Sequence, residues 1–516
     1  MTSIIQPDPV GSSAVAVIGA GPSGLASAAW LKKRGFAPTL FEAANRLGGQ
    51  WNSASRASGV WRGMRTNTSR VLSAFSDLDH ARDTPVYPSQ ADMLAYLERY
   101  AETQGITDAI RLSTNVERLA RAAGGGFLLR SRCGGNAREQ FFPRVVIASG
   151  RYNAPLIPDV DGLSGFSGAG GVIHSFHYNG AETFAGMDVL VAGCSISALE
   201  IASELAQMGA RSVTVTYRRQ RYILQKLSAG VPTEHVAFTR FAALAGSVLP
   251  LEALATGLKE FTLSTAGSPE QYGALTPDEN ILAAGLSLSQ TFLPLVAEGR
   301  IRVRPWMESV RGCTISFADG AQQEFDAIVM GTGYGLSLPF LDAEIAEAIG
   351  LGAGGSLRLH HQTFHSDLDG LAFAGLFAQV GPYLPVLELQ ARWIAYAWSG
   401  TVPAPTVGEM RESMAWADAE AGGPSEFPMH ALATLFATMA GVEPDLARWP
   451  ELERALLFGP LSPASFRLQG PDALPDAPER TRMAAAAFGA IREARMTAEE
   501  RAKWDTVRAL LERSAA

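Results

Sequence analysis

Six residues near the N-terminus, Gly19-Ala20-Gly21-Pro22-Ser23-Gly24, have the types and spacing of a phosphate-binding turn. They follow the apolar, β-branched run at 14–18 and open an Ala- and Leu-rich stretch that ends in Lys32, Lys33 and Gly35. In such a turn Gly19 permits the tight bend, Gly21 lets the backbone approach a pyrophosphate, and Gly24 lets helix and strand pack closely. The helix N-terminus, with Ser23 in its first turn, offers free N–H groups to an anion. Glu42 ends the next strand, Thr39-Leu40-Phe41-Glu42. A carboxylate there accepts hydrogen bonds from a ribose 2′-hydroxyl and repels a 2′-phosphate, so the site suits FAD or NAD and not NADP.

A related arrangement recurs further along. The run Val189-Leu190-Val191-Ala192 leads into Gly193-Cys194-Ser195-Ile196-Ser197-Ala198, then into LEIASELAQMG and a second strand, Val213-Thr214-Val215-Thr216-Tyr217. Ser195 stands where the middle glycine would be, and its hydroxyl is small enough to donate to a phosphate. The second strand runs on into Arg218 and Arg219 instead of ending in an acid. Paired guanidinium groups hold a 2′-phosphate by bidentate contacts, which points to NADPH. Two nucleotide sites of opposite preference in one chain imply a flavoenzyme, with flavin in the first and pyridine nucleotide in the second.

Each turn sits in a βαβ unit, over 14–42 and 189–217. The chain therefore reads as α/β, with two doubly wound, Rossmann-type dinucleotide-binding domains. Further strand-like runs lie at 144–149, 326–330 and 371–374, and helical periodicity at 91–103. Near the C-terminus Thr497 and Glu500 form a capping-box pattern before Trp504, Val507 and Leu511.

Composition narrows the function classes. Of 516 residues, 47% are apolar and 18% charged, which excludes a mostly disordered chain. Lys and Arg total 43 against 51 Asp and Glu, a net charge of −8, so nucleic acid is not an expected partner. Cys133, Cys194 and Cys313 are far apart, which argues against a disulfide scaffold, a zinc ribbon and a redox-active dithiol. MTSIIQPDPVGSS at the N-terminus lacks the basic and apolar regions of a secretory signal. The most apolar stretch, 371–398, is interrupted by Pro382, Pro385, Glu388 and Arg392, so no membrane span and a cytoplasmic location are expected. His174 and His177, and His361 and His365, sit on no clear helix and near no cysteine, so no metal is expected.

A longer series of motifs is ordered along the chain. After GAGPSG and Glu42 come Leu47-Gly48-Gly49-Gln50-Trp51, Thr66-Asn67-Thr68-Ser69 and Phe75-Ser76-Asp77. Gly170, His174-Ser175 and Tyr178 follow, then the turn at 193–198 and Gly331-Thr332-Gly333-Tyr334. The series closes with Glu388-Leu389-Gln390-Ala391-Arg392-Trp393 and Phe458-Gly459-Pro460. Over residues 14–490 this order resembles the flavin-containing monooxygenases, within the class B flavoprotein monooxygenases, in a soluble, bacterial-type form.

The resemblance implies an FAD-binding domain in two pieces, 1–160 and 325–445. An NADP-binding domain is inserted at 161–324, and a C-terminal extension, 446–516, packs on the FAD domain. It implies FAD and NADPH as cofactors, formation of a C4a-hydroperoxyflavin with O2, and oxygenation of a small-molecule nucleophile such as an amine or sulfide. Asn67 is then the active-site amide. Gln50, Trp51, Thr66, Thr68, Thr332 and Gln390 fall to the flavin nucleotide, and Gly193, Ser195, Ser197, Ala198 and Glu200 to NADP. His174 reads as a hinge or structural residue. A homodimer is one option for the assembly.

The second turn departs from the family pattern at Ser195 and Ile196, and Gly331 replaces an alanine. A Baeyer–Villiger monooxygenase acting on a ketone is the alternative, disfavoured by Tyr178-Asn179 at the end of the fingerprint. A non-enzymatic sensor or binding protein that retains FAD is the third reading, supported only by the altered second turn.

Overall fold

The computed structural model describes residues 12–352, 357–419 and 426–515. Most of the N-terminal segment read for a signal, residues 1–11, lies outside them.

The first sheet is entirely parallel, in the order Leu371–Phe373, Arg144–Ile147, Ala14–Ile18, Ala37–Phe41, Ile110–Arg111. The chain thus winds outward from Ala14–Ile18 in one direction and resumes on its other side at Arg144–Ile147. That reversal opens a crevice beyond the carboxyl ends of these two strands, where an open α/β sheet binds its ligand. The helix Pro22–Lys33 is buried from Gly24 to Leu31, with Pro22 at its first turn. It packs on Leu384–Ser399, buried from Leu384 to Ala397. A helix apolar on nearly all sides has to lie inside a core. Arg392 enters that core by resting its guanidinium 4.7 Å from the Trp30 ring.

The second sheet repeats the scheme in the order Ile301–Pro305, Ser212–Tyr217, Asp188–Ala192, Ala327–Met330, Gly171–His174, again all parallel. Its reversal lies between Asp188–Ala192 and Ala327–Met330. The strand Ala327–Met330 therefore belongs to the inserted unit, whereas the expected boundary at 325 gave it to the second FAD segment. Short apolar strands carry no signal of which sheet they join, because the partner is chosen by pairing and not by composition.

The chain crosses between the two units twice, and the crossings are stitched together. Ala154–Pro155 pairs antiparallel with Tyr334–Gly335, and the Leu156 N–H donates to Gly333 C=O at 3.0 Å. His174 sits on this seam. Its Nδ1 accepts from the Phe176 N–H at 3.1 Å and its Nε2 faces Gly333 C=O at 3.0 Å. The ring is therefore neutral with the proton on Nε2, and burial lowers its pKa. It braces the crossing through these two backbone contacts.

The C-terminal extension is fastened by a buried polar cluster. Arg467 pairs with Asp77 and donates to the Ser76 hydroxyl at 2.7 Å, while the Ser76 N–H donates to the Glu388 carboxylate at 2.7 Å. Burial raises the Glu388 pKa. Removing one member of such a cluster leaves an uncompensated buried charge, worth about 3–5 kcal/mol. Arg467→Ala is accordingly expected to lose stability of that order in urea unfolding of the purified protein; a loss below about 1 kcal/mol would refute the fastening role.

Candidate functional site

Both crevices open into one continuous cavity of about 3510 Å³. Gly19, Gly21, Ser23, Glu42, Gln50, Trp51, Thr66, Asn67 and Thr68 line its first part. Gly193, Ser195, Ser197, Glu200, Arg218, Arg219 and Thr332 line its second. Residues called from separate motifs in the sequence are thus brought to one space.

In the first crevice, the turn has no room for a side chain behind it. A Cβ on Gly24 would stand 1.9 Å from the Gly19 carbonyl oxygen. Gly24 itself does not line the cavity; it lets the turn close against the helix. Gly21, at the helix N-cap, carries no side-chain cap, which leaves the first-turn N–H groups for an anion. The Glu42 carboxylate is fixed at the strand end by the Ala20 N–H at 2.8 Å and the Ala44 N–H at 2.9 Å. Cradle, anion-binding helix end and fixed carboxylate together fit a flavin dinucleotide.

Past the cradle, the one-turn helix Gly49–Trp51 brings Gln50 and Trp51 to the wall. The loop 66–69 follows. The Thr66 hydroxyl donates to Thr68 C=O at 2.8 Å, and the hydroxyls of Thr68 and Ser73 share a bond of 2.8 Å. Asn67 Oδ1 is buried and has no partner in the protein, so Asn67 is not spent capping a helix or turn. A buried acceptor left open this way costs about 1–3 kcal/mol unless a bound molecule donates to it.

In the second crevice, a Cβ on Gly193 would stand 2.3 Å from the Gly331 carbonyl oxygen, across the sheet reversal. Ser195 is the N-cap of Ile196–Gln207 without a side-chain cap bond, so hydroxyl and helix end both remain available to a phosphate. Arg218 holds its guanidinium 4.8 Å from the Trp306 ring, and Arg219 donates to Ala283 C=O at 2.6 Å. Trp306 lines the cavity beside them and was not singled out from sequence. A cationic, aromatic strand end of this kind fits the phosphorylated adenosine end of a pyridine nucleotide.

Three expected contacts come out differently. Gln390 is fully buried away from the cavity, and its amide serves the Gly375 N–H at 2.8 Å, the Thr363 hydroxyl at 2.8 Å and Phe373 C=O at 3.0 Å. It shapes the turn after Leu371–Phe373 and does not line the cavity. Ala198 is buried behind the second turn and does not line the cavity. Glu200 lines it, but its carboxylate is held by Lys226 Nζ at 2.9 Å and the Ser289 hydroxyl at 3.1 Å.

The stretch 222–238 supplies side chains beside loop 66–69. Glu234 and His235 both reach Ser69, and burial raises the Glu234 pKa and lowers that of His235 to about 4. The available signal was one adjacent acid–histidine pair, Glu234-His235. Among the described residues, no group of three or more His, Cys, Asp or Glu could hold a metal ion, and no helix is long and apolar enough to cross a membrane.

Residues 12–486 match the family described as flavin-binding monooxygenase-like. The chain is 29% identical over 485 residues to dimethylaniline monooxygenase [N-oxide-forming] 2 of Rattus norvegicus, covering 89% of each. Among solved structures it resembles the S-allyl-L-cysteine S-oxygenase of Allium sativum, with a TM-score of 0.62, 20% identity, and 97% of this chain and 98% of that one covered. It also resembles cyclohexanone monooxygenase from Rhodococcus sp. Phi1, with a TM-score of 0.61, 18% identity, and 84% and 98% covered.

Proposed function

The chain belongs to the flavin-binding monooxygenase-like family and is an FAD- and NADPH-dependent monooxygenase, and we propose that it transfers one oxygen atom from O2 to the nitrogen or sulfur of a small nucleophile. Bound FAD would supply acceptance of hydride from NADPH and, once reduced, activation of O2 for that transfer. The turn at Gly19 and the helix end behind it hold the flavin pyrophosphate, and Glu42 takes the ribose. The second turn holds the pyridine nucleotide, with Arg218 and Arg219 at its 2′-phosphate. Asn67 gives the site an amide that both donates and accepts, so it orients polar groups where the two cofactors meet. Trp51, Val60, Trp61, Leu224 and Phe238 line the same cavity and restrict water, which would divert oxygen to peroxide.

The observation that carries this reading is Asn67: it lines a cavity shared by both nucleotide crevices, and its buried Oδ1 has no partner in the protein. Its test is product analysis with a tertiary amine, a thioether and a ketone in parallel. N-oxide or sulfoxide formed in proportion to NADPH consumed supports the proposal. An ester or lactone from the ketone as the main product would replace it with Baeyer–Villiger chemistry.

The reading of Arg218 gives its own test. Loss of a charge-assisted hydrogen bond is worth about 1.5–3 kcal/mol, so Arg218→Ala should raise the KM for NADPH roughly tenfold to a hundredfold, with FAD still bound and NADH kinetics little changed. Equal, small effects on both nucleotides would remove Arg218 from the 2′-phosphate. We place the enzyme in the cytoplasm, since Cys133, Cys194 and Cys313 are all free thiols.

A further inference from the structure

Ser69 closes the loop that carries Asn67, and it is fully buried. Most of the loop is held by its own domain. The Thr66 N–H donates to Pro88 C=O at 2.9 Å, the Arg70 N–H to Val86 C=O at 2.8 Å, and the Thr68 hydroxyl meets Ser73. Ser69 itself is held differently. Its N–H donates to the Glu234 carboxylate, and its hydroxyl shares a hydrogen bond of 3.0 Å with His235 Nε2. These partners lie 165 and 166 residues further along the chain, on the one-turn helix Glu234–Ala237.

Both partners are firmly seated, with exposures of 4% for Glu234 and 1% for His235. The His235 ring meets Phe488 edge-on, with centroids 5.2 Å apart. Phe488 reaches that position with a φ of +58°, a left-handed conformation unfavourable for a residue with a side chain. It lies beyond residues 12–486, the part of the chain that matches the family. Glu234 lines the same cavity as Asn67, and so do the next residues on its segment, Val236, Ala237 and Phe238. One short segment thus grips the Asn67 loop with one end and forms cavity wall with the other.

We propose that Glu234 and His235 are positioning residues for Asn67: they clamp Ser69 from the inserted unit and hold the flavin-side loop in the geometry that keeps oxygen transfer coupled to NADPH oxidation. The inference rests on the role given to Asn67 above. Glu234 accepts from the Ser69 N–H and His235 fixes the hydroxyl, so loss of Glu234 strands a buried N–H and frees the loop.

The test uses the full-length, FAD-loaded enzyme and four variants: Glu234→Ala, Glu234→Gln, Asn67→Asp, and the Glu234→Ala/Asn67→Asp double. Two quantities are read, amide hydrogen exchange of peptides covering 66–73 and peroxide released per NADPH. In E234A, exchange at 66–73 should speed up roughly tenfold, as expected for loss of one such bond, and the peroxide fraction should rise. E234Q retains an oxygen that accepts from the Ser69 N–H and should restore both. The double variant should form no less residual oxygenated product per NADPH than N67D alone, since both act through one group. Unchanged exchange in E234A would overturn the clamp. So would faster exchange with coupling intact, or additive uncoupling in the double variant. If E234A does not fold, Ser69→Ala carries the test: it removes the hydroxyl's contacts with His235 and Glu234, and wild-type exchange and coupling in it would overturn the clamp. A wild-type enzyme that never couples NADPH to oxygenation would instead sink the reading of Asn67, and the coupling role of the clamp with it, whatever the exchange data show.

Discussion

Asn67→Asp is expected to leave FAD bound and NADPH oxidation running while oxygenated product falls by about 10²-fold and hydrogen peroxide takes its place. The substitution keeps size and shape but removes the amide donor and adds a carboxylate. Asn67 Oδ1 is buried without a protein partner, so any charge placed there lacks a counter-ion in the loop 66–69. The substituted site loses the amide of loop 66–69 and gains a group that draws in water or a proton. The check is simultaneous measurement of NADPH consumed, product formed and peroxide released, with the flavin absorbance confirming FAD content. Fully coupled oxygenation in the variant would remove Asn67 from the chemistry.

Gly24→Ala should produce a protein that no longer retains FAD. The added methyl would stand 1.9 Å from the Gly19 carbonyl oxygen and 3.0 Å from its carbonyl carbon, and both belong to the backbone of the turn. Backbone cannot swing aside as a flexible side chain does, so either the turn or the helix Pro22–Lys33 has to move. Overpacking of a tight site costs about 1–3 kcal/mol, which alone weakens FAD binding roughly tenfold to a hundredfold. The displaced helix end then loses its aim at the pyrophosphate as well. Absorbance of the purified variant and a fluorescence titration with FAD measure the effect. Retention of FAD at wild-type affinity would mean that the turn does not form the pyrophosphate cradle.

Much of this arrangement is legible in the sequence because its chemistry is local. A glycine-rich turn, the strand before it and the helix after it occupy consecutive residues, so GAGPSG with Glu42 specifies a cradle and its carboxylate directly. Arg218 and Arg219 are legible for the same reason, at the end of the strand after the second turn. The family was legible from the order of many short motifs.

What stayed hidden depends on long-range pairing. Gln390 stands in a family motif, yet its amide is consumed by the Gly375 turn and by Thr363, contacts set only once Leu384–Ser399 has packed. Glu200 occupies a nucleotide-binding turn, yet Lys226 arrives from another element and takes its charge. The strand Ala327–Met330 has nothing in its composition to assign it to the second sheet. Glu234 and His235 meet Ser69 across 165 and 166 residues, and only the fold brings them together.

The most direct test of the account is the fate of labelled oxygen. The FAD-loaded enzyme is reduced with NADPH in the absence of air, then given isotopically labelled O2 together with a tertiary amine or a thioether, and label in the organic product is counted against NADPH consumed. The account predicts that NADPH bleaches the flavin and that one labelled oxygen atom appears in the N-oxide or sulfoxide for each NADPH. A flavin that NADPH does not reduce, or one whose reoxidation sends all the label into hydrogen peroxide with every nucleophile tried, would contradict it.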